Sequence, residues 1–412
     1  MTTALLLVAV LAAPGPVTQE QLADGTVLLV VPQPGATDVA VRWVVRAGAD
    51  DEPASRAGLA HLVEHLAFRS PSAEQQRGVI TRAQGRLNAS TTATATTFEL
   101  DVPRASFEQG FGALVHLVTA IDTSPGAVRS EVGVVHHENA LRRRERNGSI
   151  ERAVFGDRVV GGDEQTLGRA TRSDVVSFLE RFYRPGRTTL IIVGDVTAEV
   201  VKRVVDAESR WPPTAVAELK PLPPVPERVR VSVSDFAYGQ AIVAERFAVE
   251  HLDACRLHAA ARHLQALRVL PPSRTTVASD CVVVHGWAFA LVLAFSLEHR
   301  AADLLEGLMK VTQAPPRALA PKDLTAVERR LKAREASLRD NPSALAEAIA
   351  ALAPYLEPAK LVDQAQLIGA TVAVSAAAVT AARGHVLGDP IIIVDGPFPD
   401  AMTRLKKPAP AK

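Results

Sequence analysis

Apolar and polar positions along the chain follow two periods, near two and near 3.6 residues, and the period changes where turn-forming residues cluster. Residues 27 to 47, VLLVVPQPGATDVAVRWVVRA, form two valine-rich runs around a Pro-Gly pair, which predicts two strands. A polar loop, GADDEPASRAG, follows. Leu59, Leu62, Val63 and Leu66 then recur at helical spacing, predicting a helix from Leu59 through Phe68. Residues 88 to 102, NASTTATATTFELDV, are threonine-rich and alternating, which suits a strand. Helical patterns resume at about 104 to 120 and 125 to 146, the second broken by Asn147-Gly148-Ser149.

Residues 173 to 196, SDVVSFLERFYRPGRTTLIIVGDV, read as helix, turn and buried strand, and VTAARGHVLGDPIIIVDGP at 379 to 397 repeats that grammar. Each half therefore ends in the same kind of unit, as a duplicated pair of α/β domains would. Between the two lie six prolines in residues 212 to 226, a composition that favours an extended connector. At 412 residues the chain also exceeds the roughly 250 to 300 that one core serves. The expected division is a possible signal peptide at 1–16, an N-terminal domain at 17–208, a proline-rich linker at 209–228, a C-terminal domain at 229–400 and a tail at 401–412.

Composition narrows the function. With 47% hydrophobic and 22% charged residues the chain has ample apolar surface to bury. A net charge of +1 gives no long-range field for nucleic acid or anionic lipid. The basic run LRRRERNG at 141 to 148 reads as the solvated end of a helix. The apolar stretch Ala4 to Ala13 is too short to span a bilayer but of signal-peptide length, and no other run is long enough for a transmembrane helix. Export to the periplasm or the exterior follows from that reading; an ordinary first strand in a cytoplasmic protein is the alternative. Cys255 and Cys281 are too few for a disulfide framework; they pair if the protein is exported, or remain two buried thiols.

Chemistry concentrates on the first helix. His61 and His65 lie one turn apart on one face, so two imidazoles can converge on one ion, and Glu64 sits beside that face. Zinc lowers the pKa of bound water to about 7, and a neighbouring glutamate can take its proton. A catalytic zinc needs a third protein ligand. Glu131 and Glu138, seven residues or roughly 10.5 Å apart along a helix axis, share a face; one can touch the metal and the other orient a histidine. His136 and His137 read as structural. A His-x-x-Glu-His run also arises by chance, on helices whose histidines are merely exposed or hydrogen-bonded.

With these residues in view, the chain resembles the pitrilysin, insulysin and mitochondrial-processing-peptidase family of zinc metallopeptidases, the inverzincins, whose signature is His-x-x-Glu-His. The family's Gly-Leu-Ala-His lead-in is matched by GLAHLVEHLAF, Glu138 lies 73 residues after His65, and Glu131 falls seven before it. Asn88, Ala89, Thr91, Thr96 and Phe98 match the family's peptide-pairing strand, and FYRPGRTTLIIVGDV looks like the end of its first domain. The resemblance covers roughly residues 20 to 200. It implies two homologous mixed α/β (α+β) domains closing as a clamshell, with one Zn2+ on His61, His65 and Glu138. Glu64 and Glu131 are then the catalytic carboxylates, and Asn88 and Ala89 align a peptide or unfolded-protein substrate. Active members also supply an Arg and Tyr pair from the second domain. Arg268 is the candidate arginine, but no tyrosine follows it, and the three tyrosines are Tyr183, Tyr238 and Tyr355. The second domain therefore looks shortened and diverged. Short members pair with a related subunit, as homo- or heterodimers, so the implied function is a zinc endopeptidase, the metal-bearing subunit of a dimer. The alternative is a non-catalytic peptide-binding or assembly subunit.

Overall fold

The computed structural model describes residues 16–69, 71–144, 160–225, 230–231, 239–271, 274–297, 301–313, 319–368 and 372–395. Residues 1–15 of the expected leader, Asn147 to Ser149, Tyr238 and the tail at 401–412 lie outside them.

The first lobe runs β1 (Thr18–Gln21), β2 (Val27–Pro32), β3 (Asp38–Val45), α1 (Leu59–Phe68), α2 (Pro71–Arg82), β4 (Arg86–Thr91) and β5 (Thr96–Pro103). It continues through α3 (Phe107–Thr119), α4 (Pro125–Arg144), the single turn α5 (Glu164–Leu167), α6 (Arg172–Phe182), β6 (Thr188–Gly194) and α7 (Ala198–Glu208). The strands form one sheet in the order β1-β2-β6-β3-β5-β4. β2 and β3 flank the Pro-Gly turn as the sequence predicts, yet they do not pair. β6 lies between them, parallel to β2 and antiparallel to β3. The threonine-rich stretch is two strands, with residues 92–95 turning between β4 and β5.

The second lobe runs β7 (Arg230–Val231), β8 (Gly239–Ala248), α8 (Leu252–Val269), β9 (Thr275–Val284), β10 (Trp287–Ser296), α9 (Ala301–Gln313), α10 (Pro321–Arg339), α11 (Pro342–Ala350), α12 (Pro358–Ile368), α13 (Ala376–Arg383) and β11 (Leu387–Asp395). Its sheet has the order β7-β11-β8-β10-β9, which repeats β2-β6-β3-β5-β4 strand for strand. The senses repeat too: β7 is parallel to β11, and the other neighbours are antiparallel. The duplicated, mixed α/β architecture expected from the sequence is present.

Strands β2, β3 and β6 are largely apolar, Arg42 of β3 and Thr188 and Thr189 of β6 being the buried polar exceptions, because both faces of the first sheet are buried. Leu28, Val30, Val41, Trp43 and Ile192 face the lobe's own helices. Leu29, Val31, Val44, Ile191 and Val193 face the second half, against Leu345, Ala346 and Ile349 of α11. Within the second lobe, buried Glu245 ties β8 to α8 through His258 at 2.7 Å and Arg262 at 2.9 Å. Burial pushes the Glu245 carboxyl up, but those two partners outweigh it and hold it at about 2.

Cys255 of α8 and Cys281 of β9 are disulfide-bonded, their Cα atoms 5.8 Å apart. The bridge closes a loop of 26 residues, so reduction is expected to cost about 3 to 4 kcal/mol. Thermal melts with and without a strong reductant measure that loss, and Cys281→Ser should reproduce it.

Candidate active site

α1 starts abruptly, and three features make it do so. Gly58 precedes it in the left-handed region, φ 105°, where a Cβ would meet the carbonyl oxygen of Gly161 at 2.4 Å. Glu52 accepts hydrogen bonds from the amides of Gly58 at 2.8 Å and Ala60 at 2.7 Å, satisfying donors at the N-terminal end of α1. Asn139 of α4 donates from Nδ2 to that same Gly161 carbonyl at 2.7 Å, which draws α4 against the start of α1. The apolar stripe of Leu59, Leu62, Val63 and Leu66 then sinks into the core and fixes the helix's rotation.

That rotation brings His61, His65 and Glu138 together, with one donor atom from each inside 4.8 Å of the others. Glu138 Oε2 is 3.1 Å from His65 Nε2 and 3.7 Å from His61 Nε2. Ligand atoms of a tetrahedral zinc lie roughly 3.3 to 3.6 Å apart, so the two distances bracket what such an ion requires. Two imidazoles and a carboxylate also match zinc's donor preference. Glu131, 4% exposed, places Oε2 3.3 Å from His65 Nδ1, where it can hold the ring with Nε2 turned toward Glu138. His136 and His137 are not part of the group.

Glu64 is 8% exposed, and its Oε2 accepts a hydrogen bond from Thr91 Oγ1 of β4 at 2.6 Å. Thr91 in turn lies 3.4 Å from Thr96, whose hydroxyl is anchored on the Ala47 carbonyl at 3.0 Å. β4 is the last strand of its sheet, so its outer backbone edge is positioned to pair with an extended segment. Asn88 and Ala89 sit on that edge strand, and the Asn88 side chain bonds Glu99 on β5. Beside Glu64 and His65 opens a pocket of about 370 Å3, floored by Phe68, Ile80 and Leu87 and rimmed by Arg69 and Arg77.

The second half sends no arginine–tyrosine pair into this pocket, whose described lining runs from Glu64 to Ala89. Arg268 is paired with Asp323 of α10. Tyr355 bonds Thr94 in the β4–β5 turn at 2.6 Å, and Tyr183 is buried in the first core, its hydroxyl pKa raised by that burial. Sequence reasoning also missed Glu52 and Asn139. Glu52 lies in the acidic loop ahead of the helix, and a carboxylate six residues before a glycine is no recognised cap.

Burial pushes the Glu52 carboxyl up to about 7, against the pull of its two amide donors. A carboxyl raised in the fold stabilises it when protonated. The contribution is therefore complete below about 4.5 and lost as pH rises through about 7. Glu52→Gln is expected to flatten the dependence of melting temperature on pH across that window, a comparison made by parallel thermal scans.

Residues 27–155 match the family model described as insulinase, peptidase family M16, and residues 169–243 match the M16 inactive domain. The chain belongs to the M16, or insulinase, family of peptidases. An M16 relative, the probable zinc protease PqqL of Haemophilus influenzae, is 29% identical over 185 residues, covering 40% of this chain and 20% of that protein. The first curated M16 relatives are matched over only 20% to 39% of their own length. In fold, the chain is similar to a protease from Helicobacter pylori, with a TM-score of 0.74 at 17% identity over 93% of this chain and all of that one. It is likewise similar to the periplasmic M16 protease PqqL of Escherichia coli, with a TM-score of 0.67 at 17% identity over 97% of this chain and 50% of that one.

Proposed function

We propose that this M16 protein is a zinc-dependent endopeptidase and the metal-bearing subunit of a homo- or heterodimer. The reading rests above all on the convergence of His61, His65 and Glu138 beside a buried Glu64 and a strand that is the edge of its sheet among the described residues. His61, His65 and Glu138 hold the ion, which supplies an acidified water and polarises the scissile carbonyl when bound. Glu64 takes the water's proton and returns it to the departing amine, while Thr91 fixes the carboxylate. Glu131 orients His65. Asn88 and Ala89 align the substrate as an added strand, whose main-chain bonds give affinity without dictating sequence.

The division of the chain at the proline-rich stretch 209–228 belongs to the same reading, as does export to the periplasm or beyond. Export is supported by the apolar Ala4–Ala13 stretch and the Cys255–Cys281 bond. Among the described residues no helix is long and apolar enough to cross a membrane. A second subunit is supported by the likeness to half of a longer protease and by the absence of an Arg–Tyr pair in the described pocket. That absence, with the match of residues 169–243 to a domain described as inactive, also favours the second reading, a non-catalytic subunit.

Metal analysis of the purified chain beside His65→Ala, with a peptide-cleavage assay on both, tests the proposal. About one zinc per chain is expected, lost together with cleavage in the variant. A metal-free wild type, or equal cleavage by both proteins, overturns it. Zinc without cleavage, alone or with a related subunit, is the result of the second reading.

A further inference from the structure

In both lobes a cavity opens beside the edge strand and the helix that precedes it. In the first lobe the pocket beside the metal group is lined from α1, α2 and edge strand β4. In the second, a cavity of about 630 Å3 is lined from α8, edge strand β9 and α10. Its lining is far more cationic than that of the first pocket, where Arg69 and Arg77 stand beside Glu64. Arg256 and His263 reach it from α8, Arg329, Arg330 and Arg334 from α10, and Asp280 is its one carboxylate among the described lining residues. Such a set repels a metal cation.

Two of these side chains are buried without full satisfaction. Arg256 is 7% exposed and His263 9%, and among the described residues no hydrogen-bond partner reaches Arg256 Nε, His263 Nδ1 or Ser279 Oγ. The carboxylates nearby offset the cluster only in part: Asp253, Asp280 and Glu335 each draw the Arg256 pKa upward without overcoming burial and Arg334. Asp253 stands 3.4 Å from Arg256 and Asp280 3.4 Å from Arg334, both long for charge-assisted bonds. Glu335 of α10 is turned to the Val372 amide at 3.0 Å, and Arg330 donates to the Ser279 carbonyl at 2.9 Å. Burial lowers Arg256 to about 10, with Arg334 adding to the fall, and burial with Arg330 lowers His263 to about 4. A guanidinium kept out of water beside another of its kind is costly unless an anion offsets it. The remaining wall is apolar, formed by Leu264, Leu331 and the alanines of α8.

We propose that this cavity binds a small organic anion, its phosphate or carboxylate group held by Arg256, Arg330 and Arg334 and its apolar body lying against Leu264 and Leu331. The volume suits a molecule of metabolite size rather than a bare ion. The site is independent of the zinc proposal, since no residue is shared.

Calorimetric titration of the full chain with phenyl phosphate and, separately, 3-phenylpropionate tests it, with ionic strength held by chloride. Saturable binding of one molecule per chain is expected for at least one probe, and the tighter of the two identifies the anionic group. Arg256→Gln and Arg334→Gln should each weaken binding at least about tenfold, as removal of a charge-assisted bond does. Should Arg256→Gln fail to fold, as its circular dichroism melt would reveal, the partly exposed Arg334→Gln carries the comparison. His65→Ala should bind as wild type does. No saturable heat with either probe, affinity unchanged in Arg334→Gln, or binding lost in His65→Ala overturns the proposal.

Discussion

Glu64→Gln is expected to keep its zinc and lose its cleavage. The amide has the shape of the carboxylate and still presents an oxygen to Thr91, so the bond that fixes the side chain survives. Neither His61 nor His65 is disturbed, and Glu138 comes from another helix. What disappears is the ability to take a proton, and general-base catalysis is worth about 10^2 to 10^4 in rate. Cleavage by Glu64→Gln should therefore fall about a hundredfold to ten-thousandfold at unchanged metal content and nearly unchanged melting temperature. His65→Ala loses metal and cleavage together. The contrast separates the base from the ligands, and it requires measuring both quantities on both variants. Should Glu64→Gln retain more than about a tenth of wild-type cleavage, Glu64 is not the base.

The parts of this architecture legible in sequence are those whose cause is local. α1 follows from an apolar stripe at helical spacing, and its bounds agree with the pattern from Leu59 to Phe68. The closing strands β6 and β11 stand out because three or more branched apolar residues follow a helix and a turn. Strand order is different in kind. β6 enters between β2 and β3 from about 150 residues away, and no local signal encodes a pairing of that range. The turn at residues 92–95 carries no glycine or proline, so the Thr-rich run reads as one strand when it is two.

The site divides along the same line. His61, Glu64 and His65 are legible because helix geometry alone places them on adjoining faces. Glu131 and Glu138 can be found by their seven-residue spacing, although which one meets the histidines through Nε2 depends on how α4 packs. The roles of Glu52, Asn139 and Thr91 depend on backbone groups brought near by folding, and residue type gives no hint of them. The cationic cavity of the second lobe was equally hidden, since its arginines come from two helices about seventy residues apart. Duplicated topology relates that cavity to the first site only through the edge strand and the helix before it.

Replacing Arg42 with methionine is expected to destabilise the protein by about 2 to 3 kcal/mol, the cost of losing the charge-assisted bonds of a buried guanidinium whose partner Asp101 keeps a second, exposed arginine, Arg86, at 3.1 Å. Arg42 is 2% exposed on the sheet face that the second half covers. Its guanidinium donates to Asp101 at 3.0 Å, to its own strand at the Val41 carbonyl at 2.9 Å, and to Ser343 Oγ of α11 at 2.7 Å. Ser343 passes the interaction back by donating to Asp101 at 2.8 Å, which closes a ring between the lobes. Arg42 also reaches Glu347 at 3.2 Å, but that side chain is 59% exposed and solvent screens it. Glu347→Gln should therefore cost under about 1 kcal/mol, while Arg42→Met leaves Asp101 and Ser343 facing a sulfur that cannot donate. Urea titrations separate the two: a large fall in midpoint for Arg42→Met at a conserved slope, and almost none for Glu347→Gln. Equal effects would mean that the exposed arm, rather than the buried ring, holds α11 against the first sheet.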